Sequence, residues 1–505
     1  MLKRSFALLI ACMLVIAFVQ LAYYGNIFYK NKTGHDPQAR QGVIDLTGWD
    51  ETSGRALNLD GQWELYWGRL LMPGAMSGLT GYYKVPKRWT GELNGRQLTG
   101  KGVATYRLAL KTKPTDRIFA LRIGYIHMSS TIYINGVRVG GSGLPGLTRA
   151  AYEPLNIPYK VYFQMPNGTA DIVIQVANFD NTFGGIGQHI LFGTAEAVDQ
   201  AASHMGGMEL ATVVALLMLG IYHIGAYMGR RNEYGFLYFG LYCLFAGLAL
   251  STFGNKLFMQ MFPWMPFELL YKLQGTVVHV SMLLLLLFMQ EMCRGLLPRL
   301  FTRSMFAIYG AFIVFVLLVP FRYFNAWSYL ILPLQMVAYA FMIVTMVLAF
   351  RRGAYGSFNR RGMFMLILGM YCLLVTMMDS GMFLVGWVPR VDLTVWSTWA
   401  YSVLISLLLA FRYSEAYTKV ETISRKLIDV DKLKDEFLAN TSHEFQTPLN
   451  GIINMSQFML EGGAGEVGER QRHHLSIMLA TSRKLSSLVR DILDMEKIKR
   501  GEIEL

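Results

Sequence analysis

Ser442-His443-Glu444-Phe445-Gln446-Thr447-Pro448-Leu449 places an imidazole, a carboxylate, a hydroxyl and a proline side by side in a segment of helical periodicity. A generic helix seldom holds a proline in its interior, because Pro448 removes the bond to the carbonyl four residues back and bends the axis. His443 and Thr447 are four apart, hence on one face, and Glu444 is next to the histidine. A neutral imidazole can attack phosphorus through one nitrogen when a carboxylate holds the other, which fixes the tautomer and raises nucleophilicity. Glu444 supplies that carboxylate. His473 and His474 lack both a following carboxylate and an adjacent proline, and read as ordinary residues near the start of a second helix.

On the N-terminal side, Tyr413, Tyr417, Val420, Ile423, Leu427, Val430, Leu433 and Phe437 follow one another at intervals of three and four. They make a continuous apolar stripe, so the last apolar span is expected to run on into a coiled-coil-like helix that pairs with a second subunit. The repeat is not a strict heptad, which fits a helix with more than one packing. On the C-terminal side, Glu461-Gly462-Gly463-Ala464-Gly465-Glu466 reads as a turn. The helices flanking it then form an antiparallel hairpin, and two hairpins make a dimeric four-helix bundle with a seam of Leu, Ile and Met.

The 505 residues are 53% hydrophobic and only 16% charged, too apolar for an ordinary soluble protein. The net charge of +13 gathers at the ends of apolar runs, where a membrane explains it better than nucleic acid does. Cys12, Cys243, Cys293 and Cys372 all lie in or beside apolar segments, which leaves neither a disulfide framework nor a metal-type spacing. Between Glu209 and Phe411 we read seven spans, at roughly 209–228, 234–252, 269–290, 304–320, 327–350, 363–385 and 392–411. Arg230, Arg231, Arg294, Arg299, Arg303, Arg351, Arg352, Arg360 and Arg361 fall on the opposite side from the sparse Lys256, Arg322 and Arg390. The positive-inside rule then puts the preceding domain outside and the C-terminus in the cytoplasm, with Trp264, Trp327 and Trp387 at the outer boundary.

Ionisable and polar residues within spans are costly, and Glu209, His223, Lys272, His279 and Asp379 stand out. Interhelical hydrogen bonds for the histidines and snorkelling for Glu209 and Lys272 account for most of them. Asp379 lies well inside its span and is the candidate for a ligand or ion role. A transport pathway would normally carry more such residues on several helices, together with broken helices.

Residues 1–24 read as a signal anchor or a signal peptide, and the lack of a good small-x-small cleavage site favours the anchor. A linker over 25–43 follows. From 44 to 198 short alternating segments punctuated by Gly, Pro and Asn mark an all-β domain. Its clearest unit is Thr131 to Gly140, where Asn135-Gly136 supplies the two positive φ angles of a tight hairpin and Ile132, Ile134, Val137 and Val139 alternate on the flanking strands. Asp171 to Asn178 reads as a strand buried on both faces or nearly so.

Leu59-Asp60-Gly61-Gln62-Trp63, Val85-Pro86-Lys87-Arg88-Trp89, Thr105-Tyr106-Arg107, Ile134-Asn135-Gly136 and Val176-Ala177-Asn178 occur in an order that resembles galactose-binding-like jelly rolls, such as those ahead of family 2 glycosidase barrels. The resemblance implies a β-sandwich and makes an extracellular carbohydrate ligand an option. Trp63, Trp67 and Trp89 then either fill the core, the favoured reading, or, through Trp63 and Trp89, offer a sugar-stacking platform.

His443 through Leu449, with Asn450-Gly451-Ile452 and the helix Leu485 to Ile498, resembles the phosphoacceptor box of sensor histidine kinases, usually His-Glu-Leu-Arg-Thr-Pro-Leu. Phe445 and Gln446 depart from it, and Gln446 removes a charge that helps hold phosphate. The resemblance implies phosphorylation of His443, assistance by Glu444, positioning of the dephosphorylating water by Thr447, and a helix bend at Pro448. It also implies a homodimer, ATP and Mg2+ in the full-length kinase, and transfer to the receiver domain of a response regulator. The order of domains, with spans at 205–411, a signalling helix at 412–430 and a phosphoacceptor domain at 431–505, resembles bacterial seven-transmembrane receptors with diverse intracellular signalling modules. No Gly-rich nucleotide motif stands in the C-terminal part, so this chain is expected to bind no ATP itself and to be a truncated form of a longer kinase in a bacterial cell membrane. The alternative is a receptor whose hairpin only dimerises or docks a partner.

Overall fold

The computed structural model describes residues 2–33, 37–124, 126–355, 358–385, 392–463 and 465–499. Trp387 and Arg390 of the expected outer boundary, Ala464 of the turn and the tail from residue 500 lie outside the described residues. The chain forms two compact units, Met1–Phe411 and Arg412–Leu505.

After a first helix, α1 (Leu2–Thr33), the chain builds β1 (Val43–Asp45), β2 (Leu57–Asn58), β3 (Gly61–Trp67), β4 (Gly81–Val85), β5 (Glu92–Leu93), β6 (Arg96–Gln97) and β7 (Gly102–Lys111). It continues through β8 (Thr115–Ile123), β9 (Ser129–Ile134), β10 (Val137–Ser142), β11 (Tyr159–Met165), β12 (Thr169–Asn178) and β13 (Ile190–Thr194). One sheet runs β10-β9-β12-β7-β3-β4, with β1 added parallel to β7, and a second runs β11-β8-β13-β2. Trp63, Tyr106, Ile132 and Ile174 of the first sheet and Phe119, Leu121 and Phe192 of the second share one core, which makes the pair a sandwich. Strand β12, central in its sheet, is buried over its last residues Ile172 to Asn178, as its unbroken apolar texture predicts.

Asn135 and Gly136 take φ of 51° and 87°, as a tight hairpin requires. On β9 Ile132 and Ile134 are buried as expected, but so is every other residue of the strand, and on β10 the expected alternation fails. There Val137 is 65% exposed at the sheet edge, and a bulge between Arg138 and Gly140 shifts the register. Trp63 and Trp89 are core residues, at 0% and 1% exposure, and each indole N–H is satisfied internally, by the Leu59 carbonyl at 3.0 Å and the Tyr106 hydroxyl at 2.6 Å. The backbone of Gly184 lies so close to Trp89 that an added Cβ would sit 2.3 Å from the ring. Neither ring therefore presents a face to a soluble sugar.

The helices that follow are α2 (Ala195–Gly229), α3 (Tyr234–Ser251), α4 (Leu257–Met261), α5 (Phe267–Met292), α6 (Arg299–Leu318), α7 (Phe321–Arg352), α8 (Arg360–Val385), α9 (Asp392–Leu460) and α10 (Glu469–Lys499). Among the described residues eight helices, α1 and part of α9 included, are long and apolar enough to cross a membrane. The protein is a multi-pass membrane protein. Pro266, Pro298 and Pro320 stand at the N-caps of α5, α6 and α7, where a missing N–H costs nothing, and Gly353 ends α7 in the left-handed region. The bundle core is aromatic and methionine-rich, with Phe239, Phe288, Tyr309, Met342, Phe350 and Met363 buried and Leu9 of α1 packed among them. Trp264 and Trp327 are 74% and 57% exposed, consistent with interfacial anchors.

Candidate functional site

The C-terminal unit carries His443 on α9. His443, Glu444 and Thr447 are all exposed, and Leu449 is buried, at 7% exposure. Thr447, one turn beyond His443, turns its hydroxyl back to the His443 carbonyl at 3.1 Å, the local bond that helical spacing offers a threonine. Pro448 sits inside α9 without ending it, and leaves the Glu444 carbonyl without its helical donor. The two carboxylate oxygens of Glu444 and the His443 ring share no hydrogen bond among the described residues, since adjacent helix positions diverge by about 100°. The imidazole is thus open to an incoming group.

Beyond the motif, Gly462 and Gly465 take φ of 88° and 102° between α9 and α10, and the Arg483 guanidinium donates to Gln457 Oε1 at 2.8 Å to tie the two helices together. His473 and His474 lie exposed near the start of α10, with ring centroids 6.0 Å apart. The stripe of α9 is exposed throughout: Val420 is 67% exposed, Leu427 70% and Phe437 65%.

Asp379, the candidate inside the bundle, is 0% exposed and fully engaged. Its Oδ2 accepts the Thr394 backbone N–H at 2.8 Å and the Thr394 hydroxyl at 2.9 Å, while its Oδ1 accepts from the Tyr24 hydroxyl at 3.3 Å. A carboxylate at the start of α9 satisfies orphan N–H groups and complements the helix dipole, so Asp379 joins α1, α8 and α9. His223 makes an interhelical bond, Nε2 to Ser406 Oγ at 3.2 Å. His279 instead donates from Nδ1 to the Gly275 carbonyl of its own helix, because that carbonyl lies one turn back within reach. Lys272 caps the end of α6 through the Leu317 carbonyl at 3.0 Å, and Glu209 Oε2 accepts from the Asn255 backbone and side chain at 2.9 and 2.8 Å.

Sequence reasoning missed the junction of the sandwich with the helix ends. Met128, Tyr152 and Ala177 of the sandwich pack with Leu270, Tyr271, Phe321 and Phe324 of α5 and α7. The Asn325 amide of α7 donates to Asn181 Oδ1 at 3.1 Å and Thr182 Oγ1 at 3.2 Å. The other face of that amide pair reaches His127, whose Nδ1 lies 3.2 Å from Asn181 Nδ2 and 3.3 Å from Asn156 Nδ2. Burial, followed by the nearby Arg88 and Lys256 charges, pushes the His127 imidazole down to about 3, so it is neutral and accepts at Nδ1. An asparagine at the start of an apolar span was the available signal, but its partner is far away in sequence.

Residues 208–413 match the family described as 7TM diverse intracellular signalling, and residues 433–501 match the His Kinase A (phospho-acceptor) domain. The chain is 39% identical over 93 residues to the non-motile and phage-resistance protein of Caulobacter vibrioides, covering 18% of this chain and 11% of that protein. It is 38% identical over 94 residues to the aerobic respiration control sensor protein ArcB homolog of Haemophilus influenzae, covering 19% of this chain and 26% of that one. The chain therefore spans 11% and 26% of the length of these relatives. The sandwich region is similar to a Ruminococcus gnavus β-glucuronidase at 14% identity and a TM-score of 0.22, over 27% of each chain, too distant to bear on function. The C-terminal unit thus carries a His Kinase A phospho-acceptor domain, and it follows a 7TM diverse intracellular signalling domain in a membrane protein with histidine kinase relatives.

Proposed function

We propose that the protein is a two-component sensor histidine kinase. His443 takes the γ-phosphoryl group of ATP held by a catalytic domain outside these residues, and passes it to an aspartate of a response regulator receiver domain. The supporting observation is His443 itself, exposed on α9 within the matched phospho-acceptor segment 433–501. One imidazole nitrogen attacks the phosphorus, the bond to the ADP leaving group breaks, and the ring loses its other proton. Glu444 assists from the adjacent position, as an acceptor for that proton once the ring turns toward it. Thr447 orders the water of the reverse, dephosphorylating reaction when its hydroxyl swings off the His443 carbonyl. ATP and Mg2+ belong to the catalytic domain and supply the phosphoryl group and its charge neutralisation.

The exposed stripe Val420, Leu427 and Phe437 supports a homodimer in which the α9–α10 hairpins form a four-helix bundle. The arginine-rich loops support a cytoplasmic C-terminus with the β domain, a galactose-binding-like jelly roll, outside. There it meets an extracellular or membrane signal, and repacking of the bundle changes access of the catalytic domain to His443. The test is to incubate the full chain in nanodiscs with labelled ATP and a histidine kinase catalytic domain. Acid-labile phosphate should appear and vanish in His443→Ala. Label persisting in that variant would sink the assignment, and no label in either protein would leave a receptor that only docks partners.

A further inference from the structure

A cleft of 560 Å³ lies where the sandwich segment around Arg149 to Pro154 meets the N-terminal ends of α5 and α7. That volume is within the roughly 300–1,000 Å³ of small-molecule sites. Tyr152 and Phe267 give it aromatic walls, and Arg149, Asp180, Glu268 and Arg322 give it charge. Both carboxylates are already committed. Asp180 Oδ1 is paired with the Arg149 guanidinium at 3.1 Å. Glu268 Oε1 accepts the Phe321 N–H at 2.7 Å and lies 3.6 Å from Lys272 Nζ.

Arg322 is left over. Its guanidinium lies 4.3 Å from the Tyr323 ring centroid and donates to the Tyr323 hydroxyl. Its Nε is buried without a hydrogen-bond partner, and no carboxylate pairs with it among the described residues. The Tyr152 hydroxyl, in the same lining, is also buried and unpaired. Helices α5 and α7 both begin at the cleft, at Phe267 and Phe321, and add the positive ends of their dipoles. With the acids engaged, and with the Arg322 guanidinium lacking a carboxylate among the described residues and a partner at Nε, the unmet electrostatic demand is for an anion.

We propose that this cleft binds a small anionic molecule, with a phosphate or carboxylate group on Arg322 and an apolar or ring body between Tyr152 and Phe267. The ligand bridges the sandwich and the start of α7, the helix whose Asn325 holds Asn181. Its role as a signal rests on the sensor reading above; its binding does not. The anionic group can belong to a soluble molecule or to a lipid headgroup.

The experiment follows thermal unfolding of the full chain, without ATP, in nanodiscs of phosphatidylcholine or of phosphatidylglycerol, with inorganic phosphate titrated into the former. A soluble anion site predicts a saturable rise in melting temperature with phosphate in phosphatidylcholine. Arg322→Gln should weaken it roughly tenfold, and Arg138→Gln, on exposed β10, should leave it unchanged. A headgroup site predicts a higher melting temperature in phosphatidylglycerol that Arg322→Gln removes. If Arg322→Gln does not fold, Arg322→Lys keeps the charge without the planar fork and should bind several-fold more weakly. No anion effect in either lipid, or equal effects in wild type and the Arg322 variants, overturns the proposal. Because no phosphoryl transfer is read, loss of His443 labelling with this binding intact refutes the sensor reading alone.

Discussion

The sandwich and the C-terminal helices handle apolar side chains in opposite ways. In the sandwich Trp63, Leu65, Phe119, Ile132 and Phe192 are all 0% exposed. Along α9 Val420, Ile423, Leu427 and Leu433 are 65–70% exposed, although their spacing is as regular as that of any core helix. A two-sheet domain closes its core within one chain, because each strand finds its partners in the same sequence. The apolar stripe of α9 from Val420 to Leu433 has no facing element among the described residues, so its burial waits on a further packing partner. The sandwich thus buries its central core between its own two sheets, while the stripe of the helical unit is left to whatever covers it.

The largest effect on this contrast is expected from Trp63→Ala. Emptying a fully buried indole site should cost about 3–5 kcal/mol and unfold the sandwich, lowering the near-ultraviolet circular dichroism while the helical signal of α9 and α10 persists. Sandwich stability unchanged within about 1 kcal/mol would mean that its core is far looser than the packing shows.

Next comes the stripe. Val420→Asp combined with Leu427→Asp should remove about 2 kcal/mol of apolar burial per site in the dimer, without affecting sandwich stability. Disulfide cross-linking through a cysteine introduced in α9 should fall while helicity stays. Unaltered cross-linking would place the dimer contact elsewhere.

The smallest effect concerns pH. The folded value of His127, about 3, lies below the ordinary 6.5, so the unfolded chain takes up the proton first. Stability from this group is complete above pH 6.5 and declines as pH falls from there toward 3. Between pH 7 and pH 5 the unit 1–411 should lose about 1–2 kcal/mol, a loss that His127→Gln removes. An unchanged acid limb in that variant would assign the titration to another group.

Much of this was legible locally. The Asn135-Gly136 hairpin, the strand Asp171 to Asn178 and the long apolar helices follow from turn chemistry and periodicity, and the structure has each. Boundaries were less accessible. Helix α2 begins at Ala195 rather than at the apolar run from 209, because Thr194 caps it directly after β13 and its first turns are polar. The span read at 392–411 belongs to one helix of 69 residues, since no breaker interrupts it before Pro448. At the candidate site the motif residues could be placed on a helix, but the separation of the Glu444 carboxylate from the His443 ring follows from the angle between neighbouring positions.

The sequence by itself determined the chemistry that short-range order controls: an imidazole, a carboxylate and a hydroxyl around Pro448, the hairpin turn, and apolar runs long enough to span a membrane. Tertiary structure alone decided that Trp63 and Trp89 are core, that Asp379 caps α9 and reaches Tyr24, and that Arg322 borders a cleft with Arg149 and Asp180. The physical reason is distance along the chain. Burial and pairing are set by groups that folding brings together from separate elements, and no local pattern encodes which buried carboxylate meets which helix end.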